Sequence, residues 1–453
     1  MIWRIKNSLY MKIIKNNQYK NRKNNIFKIA FFVTFYSIII FIAGAISHRN
    51  GFFRNNKWYF FPPSWILREN PILTIRNQLI PAKGLVIDIS YKNISRIKRD
   101  REKAVTQKQL YSKDTNWVNA NISYGPEKYK AKIRLKGQLK DHWNNDGLWS
   151  YKIQLKGDKT FLGMDRFAIQ HPRTRFFMNE WYFHKILNYA GLISLRYNFL
   201  PVSINGEKFP IYAVEENFST RLLENNNKRE GPIFRIQHRF SPEEPNVNEV
   251  TFYQKGKYES TQEGRFLMRR VERQIGKFFQ EETKAKDVFN IEMMAKLFAI
   301  SDLFGDDHSI LTNNLTLYMN PINGLIEPVP YDQQVIQKTS IRGLIGERNK
   351  HYEHSSLSSD LYISKLFKDK DFSREYLDAL NNFSKRTWLD NFFKSTEKDA
   401  EKNIRMLQKS YLSYDFSNKE VLYDNQKYIR NKLRERNPIE AYLIPSKKKN
   451  FLV

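Results

Sequence analysis

Residues 128–157 read KYKAKIRLKGQLKDHWNNDGLWSYKIQLKG. Both ends of this stretch alternate apolar and polar residues, the period-two signature of half-buried strands. In the first strand Tyr129, Ala131, Ile133 and Leu135 share one face, with Lys130, Lys132, Arg134 and Lys136 on the other. In the second, Tyr151, Ile153 and Leu155 oppose Ser150, Lys152, Gln154 and Lys156. If the two strands pair with their apolar faces together, all these cations line one polar face. That face reads either as a solvated sheet surface or as an electrostatic clamp for phosphates. Gly137 and Gly147 flank the loop between the strands, where backbone can approach a ligand.

The chain around this pair is organised in the same terms. Further strands are expected at 84–90 and 116–125, with a polar helix at 92–105 between them. A helix over 178–190 is closed by Gly191. Residues 196–216 form a hairpin turning at Asn205-Gly206, a strong short-range hairpin signal. Beyond it the pattern is mostly helical, over 262–284, 288–304, 372–395, 397–410 and 418–436. The expected fold class is therefore α+β with two lobes and a cleft between them. The β-rich N-lobe spans 82–216, the helical C-lobe 217–440, and a basic tail 441–453.

A second stretch interrupts the helical half. Residues 303–334 read LFGDDHSILTNNLTLYMNPINGLIEPVPYDQQ. An apolar helix ends at Gly305 and runs into Asp306 and Asp307; Asn314 opens a short strand, Asn323-Gly324 turns it, and Asp332 follows the return strand. Such a hairpin brings Asn314 and Asp332 near one another. Oxygen-rich sets of this kind suit magnesium, and a nearby carboxylate suits an attacking hydroxyl. Ordinary caps and turns use the same residues, so both readings stand here.

Composition limits the alternatives. The net charge of +29 favours anionic partners without choosing among them. Hydrophobic residues at 41% and aromatic residues at 15% supply a core and exclude global disorder. The absence of cysteine excludes disulfides, zinc-thiolate sites and thiol catalysis. No helix-turn-helix, finger or aromatic RNA-binding signature supports a nucleic-acid partner. The pair of histidines in HYEHSS, 351–356, reads as surface.

Residues 29–46 are apolar and uncharged, and the 28 residues before them carry many cations and no acid. This reads as a transmembrane anchor with the N-terminus cytoplasmic and the rest outside the cytoplasm, joined by a connector over 47–81. Ala43-Gly44-Ala45 also resembles a signal-peptide cleavage site.

Read together, KIRLKGQ (132–138), SYKIQL (150–155), LGMDRFAI (162–169), 188–216 and 306–334 resemble the CotH kinase family, the spore-coat protein H group of atypical protein kinases. The resemblance implies ATP- and magnesium-dependent phosphoryl transfer to a hydroxyl of an envelope or secreted protein. It implies nucleotide-binding roles for Arg134, Lys152, Glu180 and Glu215, with Glu180 orienting Lys152 and Glu216 an alternative to Glu215. It gives Asp307 the catalytic role beside the acceptor hydroxyl, with Asp306 an alternative one residue away, and makes Asn314 and Asp332 metal ligands. One departure stands out. The family's second aspartate after Asp332 is here Gln334, which supplies no charge. That leaves a second reading open, a kinase-like scaffold that binds an anionic polymer or a partner protein.

Overall fold

The computed structural model describes residues 33–38, 41, 82–111, 116–144, 148–240, 245–311, 314–333, 335–354, 360–411, 414–435, 443–444 and 451–452. Residues 33–38 and 41, inside the expected anchor, are helical and exposed; the rest of that segment, the connector and Gln334 lie outside the described residues. Among the described residues no helix is long and apolar enough to cross a membrane.

The β-rich region closes on itself. Strands β1 (Leu85–Asp88), β2 (Val118–Tyr124), β3 (Glu127–Leu135), β4 (Tyr151–Leu155), β5 (Arg166–Gln170), β6 (Tyr197–Ile204) and β7 (Glu207–Glu216) form a closed barrel in the order β1-β2-β3-β4-β5-β7-β6. Neighbours run antiparallel except where β6 meets β1, a parallel pairing that seals the barrel. The alternation read from 128–157 is its inside and outside. Ile133, Ile153, Phe167 and Val214 are fully buried in one core. Burying each such side chain contributes about 1.5–3 kcal/mol. Helix α1 (Tyr91–Gln107) joins β1 to β2 and adds Ile97 and Ala104 to that core.

Closure corrects the picture of a simple β-rich lobe. The strand that completes the sequence is β5, which the alternation does not reveal. Phe167, Ala168, Ile169 and Gln170 are all buried, because both faces of β5 are covered.

The second region is helical around a small sheet. Its long helices are α2 (Met178–Tyr189), α3 (Gln262–Phe279), α4 (Ile291–Phe304), α5 (Lys370–Phe383), α6 (Arg386–Gln408) and α7 (Lys419–Glu435). The expected break between the fifth and sixth lies at Ser384-Lys385 instead of near 396. Strands β8 (Ile233–Phe240), β9 (Pro245–Phe252), β10 (Thr316–Met319) and β11 (Ile326–Pro328) form a sheet ordered β11-β10-β8-β9. The β10–β11 hairpin agrees with the sequence; the β8–β9 hairpin was not expected.

Two helices in this region are buried nearly all round. In α4 every residue from Leu297 to Phe304 is buried, so it forms the centre of the helical part. Asn290 caps it, accepting from Met293 N–H at 3.2 Å, and Gly305 ends it. Helix α2 buries Met178–His184 and joins the same apolar cluster as Tyr197, Phe199 and Ala213 on the outer side of the barrel. It thereby brings Glu180 against strands and hairpin alike.

Candidate active site

The cationic face of the barrel is graded. Along β3, Lys128, Lys130 and Lys132 are exposed, Arg134 is half-buried and Lys136 is buried. Arg134 lies directly across from Lys152 on β4. The next residues in that row are Ala168 on β5 and Glu215 on β7. The sheet therefore delivers two cations and one carboxylate in register, and Arg134 also stacks over Trp117 at 5.0 Å.

The pairing inside this face differs from the expectation. Lys136 makes the buried ion pair, with Nζ 2.5 Å from Glu215 Oε2 and 2.7 Å from Gln170 Oε1. Gln170 Nε2 donates to Glu215 Oε2 at 2.7 Å and closes a triangle. Burial works to raise the Glu215 carboxyl, but Lys136 and Arg175 outweigh it and hold the group at about 2. Burial works against the Lys136 ammonium and lowers it. With two cations facing it, the carboxylate is charged at neutral pH. Lys152 is lowered to about 7, first by burial and then by Arg134 and Lys136.

The carboxylates sit opposite. Glu180 does not orient Lys152 through a hydrogen bond; its Oε1 accepts from Asp332 N–H at 2.7 Å and lies 3.3 Å from His184 Nε2, one helical turn on. Glu180 Oε2 is buried without a hydrogen-bond partner. Asp332 has a left-handed backbone at φ 64, uncommon outside glycine. Its Oδ1 lies 3.0 Å from Arg175 Nε and its Oδ2 3.8 Å from His308 Nε2. Asn314 Nδ2 donates to His308 O at 3.1 Å, so His308 links the two expected metal ligands.

Arg175 joins the two halves of the cluster. Burial lowers it, but Asp332, Glu215 and Glu180 together raise it above its ordinary value. It follows β5 in a short 3-10 turn, Pro172–Arg175, and the next two residues, Phe176 and Phe177, both take positive φ, at 48 and 57. Consecutive non-glycine residues in that region carry strain that surrounding contacts must hold. Here Phe177 stacks on Tyr414, and Tyr411 Oη lies 2.9 Å from His171 Nε2. The loop after β3 adds His142, pushed well below its ordinary value by burial and then by Arg175, Lys136 and Lys152.

Asp307 lies just beyond Asp306, whose backbone carbonyl accepts from Gln333 Nε2 at 2.8 Å. Its carboxylate is held by Arg342, 2.7 Å away, and Arg348, 2.9 Å away. Both arginines come from the segment after Asp332, residues 340–359, which the sequence reads either as a substrate-facing segment that Arg342 and Arg348 would suit or as an ordinary flexible loop.

The structure therefore gathers Arg134, Lys152, Glu215, Glu180 and Asp332 into one cluster, and places Asn314 and Asp307 beside it. Sequence reasoning missed Lys136 as the paired lysine, and missed Arg175, His142 and His308. Lys136 shares the alternation with its neighbours, whereas Arg175 and His308 sit in irregular segments with no periodic signal.

The family model for CotH kinase protein matches residues 133–439, a span that includes every one of these groups. The chain belongs to the CotH kinase family. It is a kinase-like protein of mixed α/β structure. No curated protein matches it.

Among the described residues no group of three or more His, Asp or Glu side chains is placed to hold a metal ion. Of the oxygens nearby, Glu180 Oε2 has no hydrogen-bond partner, and Asp332 Oδ1 faces the Arg175 guanidinium, which a cation would have to displace.

Proposed function

We propose that this CotH-family chain transfers a phosphoryl group from ATP, with magnesium, to a hydroxyl of an envelope or secreted protein. The observation that carries the reading is the opposition of two charge sets within one buried cluster. Arg134, Lys152 and Lys136 come from one barrel face, and Asp332 and Glu180 from the hairpin end and α2. In this reading the β-barrel and helical regions act as the two lobes of a kinase-like fold, and the apolar segment 29–46 anchors the chain with its catalytic part outside the cytoplasm.

Arg134 and Lys152 hold phosphate oxygens, and Lys136 is kept in place by Glu215 and Gln170. Asp332 and Asn314, with Glu180 behind Asp332, hold the metal. When bound, that ion neutralises charge on the phosphates. Asp307 orients the acceptor hydroxyl and takes its proton. The acceptor oxygen bonds to the γ-phosphorus, the bond from that phosphorus to the β–γ bridging oxygen breaks, and ADP leaves. The chain's contribution is positioning and charge complementarity.

A specific observation favours a second reading. Asp332 and Asp307 are already paired with arginines. A kinase-like scaffold that binds anionic polymer or a partner protein needs neither carboxylate available.

Calorimetric titration with ATP and magnesium, on the wild-type chain and on Asp332→Ala, separates the two. Magnesium-dependent binding lost in the variant supports phosphotransfer. Absence of nucleotide binding in the folded wild type overturns it in favour of the scaffold.

A further inference from the structure

Both oxygens of the Asp307 carboxylate are engaged. Arg342 Nη1 lies 2.7 Å from Oδ1 and its Nη2 3.1 Å from Oδ2. Arg348 Nη1 lies 2.9 Å from Oδ2. Asp307 itself is 4% exposed, so these guanidiniums cover much of its approach. A hydroxyl that gives its proton to a carboxylate must come within hydrogen-bond distance of one oxygen. One guanidinium has to move aside before an acceptor enters.

The surroundings decide which one. The side chain of Arg348 is 15% exposed and that of Arg342 is 36% exposed. Arg342 ends a short surface helix, Thr339–Arg342, in which Ser340 and Ile341 are exposed. The backbone on either side is pinned. Thr339 N–H donates to Asn425 Oδ1 at 2.8 Å, and Ile345 N–H donates to Asp302 Oδ1 at 2.9 Å. These bonds hold the backbone, and of the two guanidiniums that of Arg342 is the more exposed. Asp306 Oδ1 lies 3.4 Å from Arg342 Nη1 and keeps part of the attraction when Arg342 leaves Asp307; the bidentate contact itself is recovered only on another anion of carboxylate shape.

We propose that Arg342 is a specificity residue of the acceptor site, selecting serine- or threonine-bearing segments with a carboxylate side chain next to the hydroxyl. The acceptor's carboxylate replaces Asp307 as the partner of Arg342, and Arg348 keeps Asp307 aligned. A neutral acceptor offers no such exchange and leaves Arg342 across Asp307. The exposed Lys128, Lys130 and Lys132 on the outer face of β3 draw the same acidic segments to the molecule. This inference rests on the phosphotransfer reading.

The test uses the full chain and two labelled peptides, each with one serine, flanked in one by glutamates and in the other by glutamines. Peptide binding is followed by fluorescence anisotropy and phosphoryl transfer by radiolabel. Wild type is expected to favour the glutamate peptide in both readouts. Arg342→Ala loses about tenfold on that peptide, as the removal of one charge-assisted pair implies, and its ATP affinity is unchanged. Lys338→Ala, which removes the same charge from a nearby exposed residue, keeps the preference. The proposal is overturned if Arg342→Ala keeps the full preference, if Lys338→Ala loses it equally, or if Arg342→Ala raises transfer to both peptides alike. If wild type binds no ATP while its peptide preference still depends on Arg342, the phosphotransfer reading falls and the carboxylate-binding role of Arg342 stands.

Discussion

Lys136 Nζ lies 2.5 Å from Glu215 Oε2 inside the protein, and Gln170 bonds to both. This contact ties the end of β3 to β7 across the two strands between them. Removing one partner of a buried pair strands the other charge and costs about 3–5 kcal/mol. Arg175 still faces Glu215 when Lys136 is gone, whereas without Glu215 Lys136 keeps only the neutral Gln170 oxygen and the weaker attraction of Asp332. Glu215→Gln is therefore expected to destabilise more than Lys136→Met, and the double variant to lose less than the sum. Urea denaturation of the three variants measures this; additive losses would exclude an energetically coupled pair.

The same carboxylate makes an acid-stability prediction. Glu215 is held at about 2, below its ordinary 4.5. A depressed acid contributes stability that is present above the ordinary value and lost as the pH falls from about 4.5 to about 2. The size is about 3 kcal/mol. Thermal denaturation between pH 5 and pH 2 is expected to show this slope in wild type and a shallower one in Glu215→Gln.

Much of this arrangement is written in the chain, and the exceptions have physical reasons. Strands β3 and β4 declare themselves because one face points into the barrel and one outward, which alternation records directly. β5 does not, since Arg166–Gln170 is covered on both sides. The break between α5 and α6 is invisible because Phe383-Ser384-Lys385-Arg386 has neither glycine nor proline to interrupt an apolar pattern that runs on through Leu389 and Phe392. At the site, the types of residue were legible and the partners were not. Lys136 and Lys152 share a face and a pattern; which of them meets Glu215, 79 residues from Lys136, depends on barrel closure. The arginines on Asp307 depend on how the segment after Asp332 folds back, anchored by Asp302 and Asn425.

Lys152 is lowered to about 7 by burial and by Arg134 and Lys136. An anion binds the charged lysine better, so nucleotide affinity is expected to be highest below pH 7. It then falls as pH rises, by up to about tenfold per unit if Lys152 is the sole group titrating in that range. Lys152→Arg keeps its charge throughout and is expected to bind with little pH dependence. Titrations at pH 6, 7 and 8.5 check this, and an identical slope in the variant would assign the titration elsewhere.

Asp302 is buried in α4, raised to about 7 by burial against the opposing bonds from Tyr376 and Ile345 N–H. An acid raised in the folded state gives stability that is full below its ordinary value of 3.8 and lost as pH rises through about 7. Asp302→Asn keeps one oxygen for Ile345 N–H and carries no charge to desolvate. It is expected to match or exceed wild-type stability at pH 8 and to lack the decline between pH 4 and pH 7. Melting temperatures across that range decide it. A variant uniformly less stable at every pH would mean that the carboxylate is required for its bonds to Tyr376 and Ile345 regardless of charge.

Gly305 sets the direction in which the chain leaves α4 toward Asp306 and Asp307. It takes φ 70, its N–H bonds to Asp302 O at 3.0 Å, and Asp306 N–H bonds to Ser301 O at 3.1 Å. This is the paired closure of a Schellman motif. A Cβ on Gly305 would lie 2.1 Å from Gln337 O, a backbone atom of the segment that carries Arg342. Gly305→Ala therefore combines left-handed strain of about 1–2 kcal/mol with a clash that only backbone movement relieves. A total loss of about 3 kcal/mol or more is expected. Gly276, inside α3, has no positive φ, and a Cβ there would meet nothing within 4 Å. Gly276→Ala is accordingly expected to stabilise by about 0.5–1 kcal/mol. Because the clash falls between the exit of α4 and the arginine segment, Gly305→Ala should also lower phosphoryl transfer while leaving ATP affinity intact. Equal loss of both would mean that the whole helical region had unfolded, which denaturation of the same sample would reveal.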